Sequence, residues 1–181
     1  MKRLIHHTEL YVVVFLATQI VACAQRVVAP PAPDVISRIA SAKHVFLSNA
    51  GEDSYFVNDI PGGADISYNE LYTSLKQWGR FQLADSPSKA DLIFEVRGTE
   101  ACTWNPKGNI TNNRYTQVCS APMLNLSILD PSTQDLLYKI VMPAGRASNI
   151  PKGKIAFSQS IDTLTDKIKA LVAAPAPPQN P

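Results

Sequence analysis

The first 25 residues constrain the rest of the chain most, because their pattern addresses them to export and not to folding. Lys2 and Arg3 precede an apolar run from Leu10 to Ala17, and small residues follow at Ala22-Cys23-Ala24. A charged start, a short apolar middle and a small-residue cleavage point make a bacterial export signal over residues 1–24. Two processing readings share these residues. Ile20-Val21-Ala22-Cys23 fits the lipobox of bacterial lipoproteins, in which Cys23 is lipidated and becomes the new amino terminus. Ala22-Cys23-Ala24 fits an Ala-x-Ala site, with cleavage before Gln25 and release of a soluble protein. The lipoprotein reading is placed first, because the Pro-rich stretch 25–34 suits a semi-rigid tether. The apolar run is too short and interrupted for a membrane-spanning helix, which needs about 20 apolar residues. Membrane contact is therefore expected only through a lipid anchor.

A second Pro-rich stretch, 174–181, closes the chain, and residues 35–173 between the two are read as a single domain. Roughly 140 residues suffice to bury about two-thirds of the unfolded surface. The chain holds 17 basic and 15 acidic residues, and setting aside Lys2, Arg3 and Glu9 leaves it near neutral. With no basic stripe, nucleic acid is excluded as a partner. Of three cysteines, both processing readings remove Cys23 from the count. Cys102 and Cys119 remain as an even pair in an oxidising compartment, and a disulfide between them is expected. It would close a loop of about 18 residues, worth about 3 kcal/mol. The competing reading is two buried free thiols.

Periodicity then predicts the elements. Asp34–Ala42 reads as a short helix and Lys43–Ser48 as a strand, followed by a long turn-rich loop. Ser67 and Glu70 have capping-box spacing, and Ile66 and Leu71 are placed to staple the helix start. Tyr68, Leu71, Tyr72, Leu75 and Trp78 share one helical face, and Gly79 supplies a left-handed stop. Strands are expected at Phe81–Ala84, Asp91–Arg97, Leu124–Ile128 and Leu136–Val141, the last two joined by the turn chemistry of Asp130–Asp135. A closing helix runs from about Ile155 to Val172. Strands flanked by helices give the expected class: α+β, a mainly antiparallel sheet of about five strands with two main helices packed on one face.

One conflict is visible in the sequence alone. If Cys102 faces Cys119, a continuous ladder would set Phe94 against Ser127 and Val96 against Asn125. A one-residue slip turns every side chain to the other face. A bulge near Gly98 or Pro122 is therefore expected, or else a disulfide outside the regular ladder.

Catalytic constellations are sparse. His6 and His7 lie in the signal, leaving His44 as the one histidine beyond it. A single imidazole on a strand reads as a packing or surface residue, and a zinc site from His44, Cys102 and Cys119 would lack a fourth ligand and forfeit the disulfide. Ser86-Pro87-Ser88-Lys89 spells the Ser-x-x-Lys of penicillin-interacting enzymes, but falls in a turn without its companion motifs. The loop acids Glu52, Asp53, Asp59 and Asp65 fit no calcium-loop template, and Gly62-Gly63 reads as a turn. No catalytic residue, metal ligand or cofactor is expected. The segment from Trp104 to Tyr115 draws more interest, for it sets asparagines, Lys107 and Arg114 between two aromatics in a loop cinched at its base by the expected disulfide. Trp104, Arg114 and Tyr115 have hot-spot composition for a protein or glycan partner.

Three stretches taken together are also familiar: Val45–Asn49; Trp78–Leu83 leading to Ala90-Asp91-Leu92-Ile93-Phe94-Glu95-Val96; and Leu126–Pro131 with Leu136-Leu137-Tyr138. They resemble the small bacterial envelope domains that include the amino-terminal domain of the Tol-Pal translocation protein and the curli-secretion lipoprotein, along with many further lipoproteins. The resemblance covers most of residues 43–172 and implies an α/β envelope module that binds protein partners. It carries over no catalytic or binding residue, and the disulfide-rooted insert departs from it. The expected function is an exported binding or assembly module, on the periplasmic face of the outer membrane or soluble in the periplasm. The alternative is a small periplasmic hydrolase using loop carboxylates near Asp53 and Asp59.

Overall fold

Alternating side chains write the centre of the fold. The structure, a computed structural model, describes residues 31–105, 116–145 and 150–174, with 104, 105, 116 and 150–155 described by backbone alone. In chain order the elements are α1 (Pro33–Ser41), β1 (His44–Glu52), α2 (Ser54–Asp59), α3 (Ile66–Trp78), β2 (Gln82–Leu83), a 3-10 turn (Pro87–Lys89), β3 (Leu92–Thr99), β4 (Cys102–Asn105), β5 (Thr116–Cys119), β6 (Met123–Leu129), β7 (Leu136–Pro143) and α4 (Ile150–Ala173). Five strands form one sheet in the order β2-β1-β3-β6-β7, while among the described residues β4 and β5 pair only with each other. Phe94 stands opposite Ile128, Val96 opposite Leu126, and Leu126 opposite Ile140. These apolar residues thereby share one face and join a single buried cluster with Ile39 of α1, Phe56 of α2, Leu71 and Leu75 of α3, and Phe157, Ile161, Leu164 and Ile168 of α4. The fold is α+β with a mostly antiparallel sheet, as expected. β1 is the exception: it runs parallel to both β2 and β3. Parallel partners need a crossover between them, and α2 and α3 supply the one from β1 to β2. Among the described residues no helix is long and apolar enough to cross a membrane.

Two local expectations met different outcomes. Gly79 ends α3 in the left-handed conformation, φ 67°, and its N–H donates to the Leu75 carbonyl. An edge-on string of rings, Trp78 to Phe81 at 5.3 Å and Phe81 to Phe94 at 5.6 Å, then ties this stop to β3. The capping box does not form. Asp65 is the N-cap residue, without a side-chain cap bond, and Ser67 lies inside α3, 1% exposed. Its N–H donates instead to Glu52 Oε1 at 2.8 Å, so the end of β1 caps the helix. Burial pushes the Glu52 carboxyl up, partly offset by the Ser67 hydrogen bonds.

The conflict between disulfide and sheet register resolves at Pro122. Cys102 faces Cys119 in the β4–β5 ladder, while Thr99 faces Met123 in β3–β6. Ser120 N–H donates to the Ala101 carbonyl at 2.8 Å, extending the short ladder by one pair. Glu100 is then left opposite two residues, Ala121 and Pro122, which is the extra residue of a bulge. The slip lets Phe94 and Val96 keep Ile128 and Leu126 as partners while the two cysteines face each other. Three further differences are smaller: α1 begins at Pro33, a residue whose fixed φ suits a first helical turn; α4 begins at Ile150; and the turn-rich loop after β1 contains α2.

Candidate functional site

Charged side chains converge at the end of the sheet where β1 and β3 begin and β6 finishes. Asp130 closes β6 before Pro131, and its Oδ1 accepts the Ser132 N–H at 2.7 Å, the Ser132 hydroxyl at 2.6 Å and the Thr133 N–H at 3.2 Å. This is an Asx turn, which an Asp-Pro-Ser-Thr sequence favours. The other carboxylate oxygen receives Arg38 Nη2 from α1. The Ser132 hydroxyl and N–H, then Arg38, hold the Asp130 carboxyl well below the usual carboxylate range. Asp91, at the mouth of β3, accepts the consecutive N–H groups of Lys43 and His44, both at 2.8 Å. Those backbone donors lower its pKa as well. His44 Nδ1 lies 3.4 Å from the same oxygen. An open cleft of about 590 Å³ lies between these groups, lined by Arg38, Ser41, Lys43, His44, Asp91 and Ser132 among others.

The chemistry available there follows from how those atoms are used. Both carboxylates accept backbone N–H groups, and both pKa values are lowered, so each fixes backbone in its ionised form. The Ser41 hydroxyl donates to the Arg38 carbonyl at 3.1 Å and the Ser132 hydroxyl to Asp130, so neither is bonded to His44. Stability should carry the mark of Asp130. A carboxyl lowered by folding contributes fully above its unfolded pKa of about 3.9 and loses that contribution as pH falls below it. Asp130→Asn is therefore expected to flatten the acid side of the stability profile. Urea midpoints between pH 2 and 5 check this, and an unchanged acid slope would assign that slope to other carboxylates.

The loop acids disperse to separate partners. Asp53 takes Arg97 Nη2 at 2.8 Å, Asp65 accepts Asn49 Nδ2 at 2.7 Å, Glu52 caps α3, and Asp59 is the last residue of α2. His44 sits at the start of β1, whereas the cysteines follow the far end of β3, so no zinc set gathers around that imidazole. Ser86 precedes the 3-10 turn and Ser88 lies within it, their hydroxyls 3.2 Å apart, and Lys89 pairs with Asp85 at 3.0 Å. Sequence reasoning missed Asp91 and Asp130 as anchors. The Asx signal of Asp130 was readable, but its Arg38 partner lies 92 positions away.

The second feature is the ribbon. Cys102 and Cys119 form the expected disulfide across directly facing positions, their Cα atoms 4.0 Å apart. Trp104 lies in β4 opposite Gln117, so the first aromatic of the hot-spot segment is part of the ladder. Arg114 and Tyr115 lie outside the described residues.

No protein-family model matches the chain, and no curated protein matches it in sequence. Solved structures that match part of the chain include a neuraminyllactose-binding hemagglutinin homolog from Helicobacter pylori, 12% identical, with a TM-score of 0.39 over 72% of this chain and 86% of that one. A DUF330 protein from Xanthomonas campestris is also 12% identical, with a TM-score of 0.43 over 71% of this chain and 81% of that one. PelC from Paraburkholderia phytofirmans, a dodecamer, is 12% identical, with a TM-score of 0.36 over 73% and 86%. Likenesses this distant carry no functional argument for this chain.

Proposed function

We propose that this chain is an exported module of the bacterial cell envelope, tethered by lipid at Cys23, that binds a protein or glycan partner and catalyses no reaction. The observation that carries the reading is the two-stranded ribbon β4–β5. It stands outside the five-stranded sheet and is clipped at its root by a disulfide. A covalent clip lowers the entropy lost when the segment between its strands is held by a partner. That segment carries Arg114 and Tyr115, with Trp104 on the strand leading into it. The export layout of residues 1–24 and an oxidised cysteine pair belong together. The commitment of Asp53, Asp91 and Asp130 to structural partners supports a binding role over a hydrolytic one.

Two measurements test the proposal. Intact-mass analysis of protein purified from its own envelope should find a diacylglyceryl group on Cys23; an unmodified Gln25 start would refute the tether. Trp104→Ala combined with Tyr115→Ala should weaken capture of the envelope partner more than tenfold, the loss expected when hot-spot aromatics are removed. Undiminished capture would eliminate the ribbon as the binding surface.

A further inference from the structure

We propose that the root of the ribbon is a redox-gated metal site, built from Glu100, Cys102 and Cys119, that takes a divalent borderline-soft ion such as Zn²⁺ when the disulfide is reduced. One carboxylate oxygen of Glu100 and the two sulfur atoms all lie within 4.8 Å of one another. Their placement follows from the bulge. The slip at Ala121-Pro122 sets Glu100 between the two ladders, where its side chain is 3% exposed beside the half-buried cysteines. Two thiolates and one carboxylate are a donor set suited to Zn²⁺, and they leave a fourth tetrahedral position for water.

The geometry needs little backbone change. Cys102 and Cys119 face each other directly across an antiparallel pair, so both sulfur atoms already emerge on one side. Around a zinc ion at about 2.3 Å from each sulfur, the two thiolates would stand about 3.8 Å apart. Side-chain rotation at two cross-strand cysteines spans that separation. The chemistry balances in two steps. A dithiol reductant gives two electrons and two protons to the disulfide, yielding two thiols and its own disulfide. The metal ion then displaces both thiol protons. The covalent clip becomes a coordinate one at the same place, and the ribbon stays rooted in either state.

The test uses the full chain with His6, His7 and Cys23 replaced by Ala, so that no donor in the first 24 residues competes. After reduction with a phosphine, titration with Co²⁺ should saturate at one equivalent and show thiolate-to-cobalt absorption, and Zn²⁺ should displace the cobalt. The oxidised protein should bind none. Glu100→Gln should weaken Co²⁺ binding at least tenfold. X-ray absorption on the zinc-loaded protein, which needs no variant at Glu100, should count two sulfur ligands with oxygen completing the shell. Absence of the thiolate band in the reduced protein would overturn the proposal. So would a Glu100→Gln protein of native circular dichroism that binds as tightly as its parent.

Discussion

Phe56→Ala is expected to destabilise the domain by about 3–5 kcal/mol, the cost of emptying a buried aromatic site. Phe56 is fully buried in α2, stands edge-on to Phe157 at 6.2 Å, and lies directly over Gly98 of β3. A Cβ at position 98 would fall 2.4 Å from Phe56 Cε1, closer than real Cβ atoms approach. Gly98→Ala therefore forces the ring or the strand to move, at about 1–3 kcal/mol. The two costs should not add. Once the ring is gone, a methyl group at 98 enters the space it left, and Gly98→Ala becomes neutral or stabilising in the Phe56→Ala background. Urea unfolding of the four proteins in this cycle should give a coupling of at least about 1 kcal/mol. Additive costs would mean that the ring does not rest on the strand.

Replacing Cys102 and Cys119 together with alanine is expected to cost about 3 kcal/mol, the loop-closure value for a cross-link of this span. For a domain of this size that corresponds to a fall of about 6–12 °C in Tm. The loss should be uneven across the molecule. Among the described residues β4 and β5 pair with no strand but each other, and a two-stranded ribbon alone is marginal in water. Amide exchange should therefore rise first over Cys102–Asn105 and Thr116–Cys119 while β3 and β6 stay protected. An unchanged Tm with a protected ribbon would show that the strands hold together without the cross-link.

Local rules were legible wherever a single element decides its own fate. The face of α3, its Gly79 stop and the alternation of β3 and β6 all followed from spacing. The register conflict was legible too, because parity along a strand is strict: the two ladders could coexist only with one extra residue, and Pro122 marks where it sits. What escaped depends on residues distant in the chain. Ser67 and Glu70 had the right spacing for a cap, but Glu52, 15 positions upstream, occupies the Ser67 N–H. Asp91 looks like an ordinary strand-entry residue until folding brings the Lys43 and His44 N–H groups, 48 and 47 positions earlier, to its carboxylate. The parallel setting of β1 has no local signature, since it is decided by where β2 and β3 arrive.

That setting bears on how the protein is made. Val45 lies beside both Leu83 and Leu92, so each flank of β1 is completed by residues still to come when the strand emerges. A chain delivered from its amino end carries an orphan inner strand until roughly 50 more residues exist, a long wait for non-local pairing. Fragments that stop before Leu92 would keep an open hydrogen-bonding row along β1, a template for self-association. The hairpin half, β6 with β7, can close from its own short turn. The hazard in biogenesis thus lies in the front of the molecule.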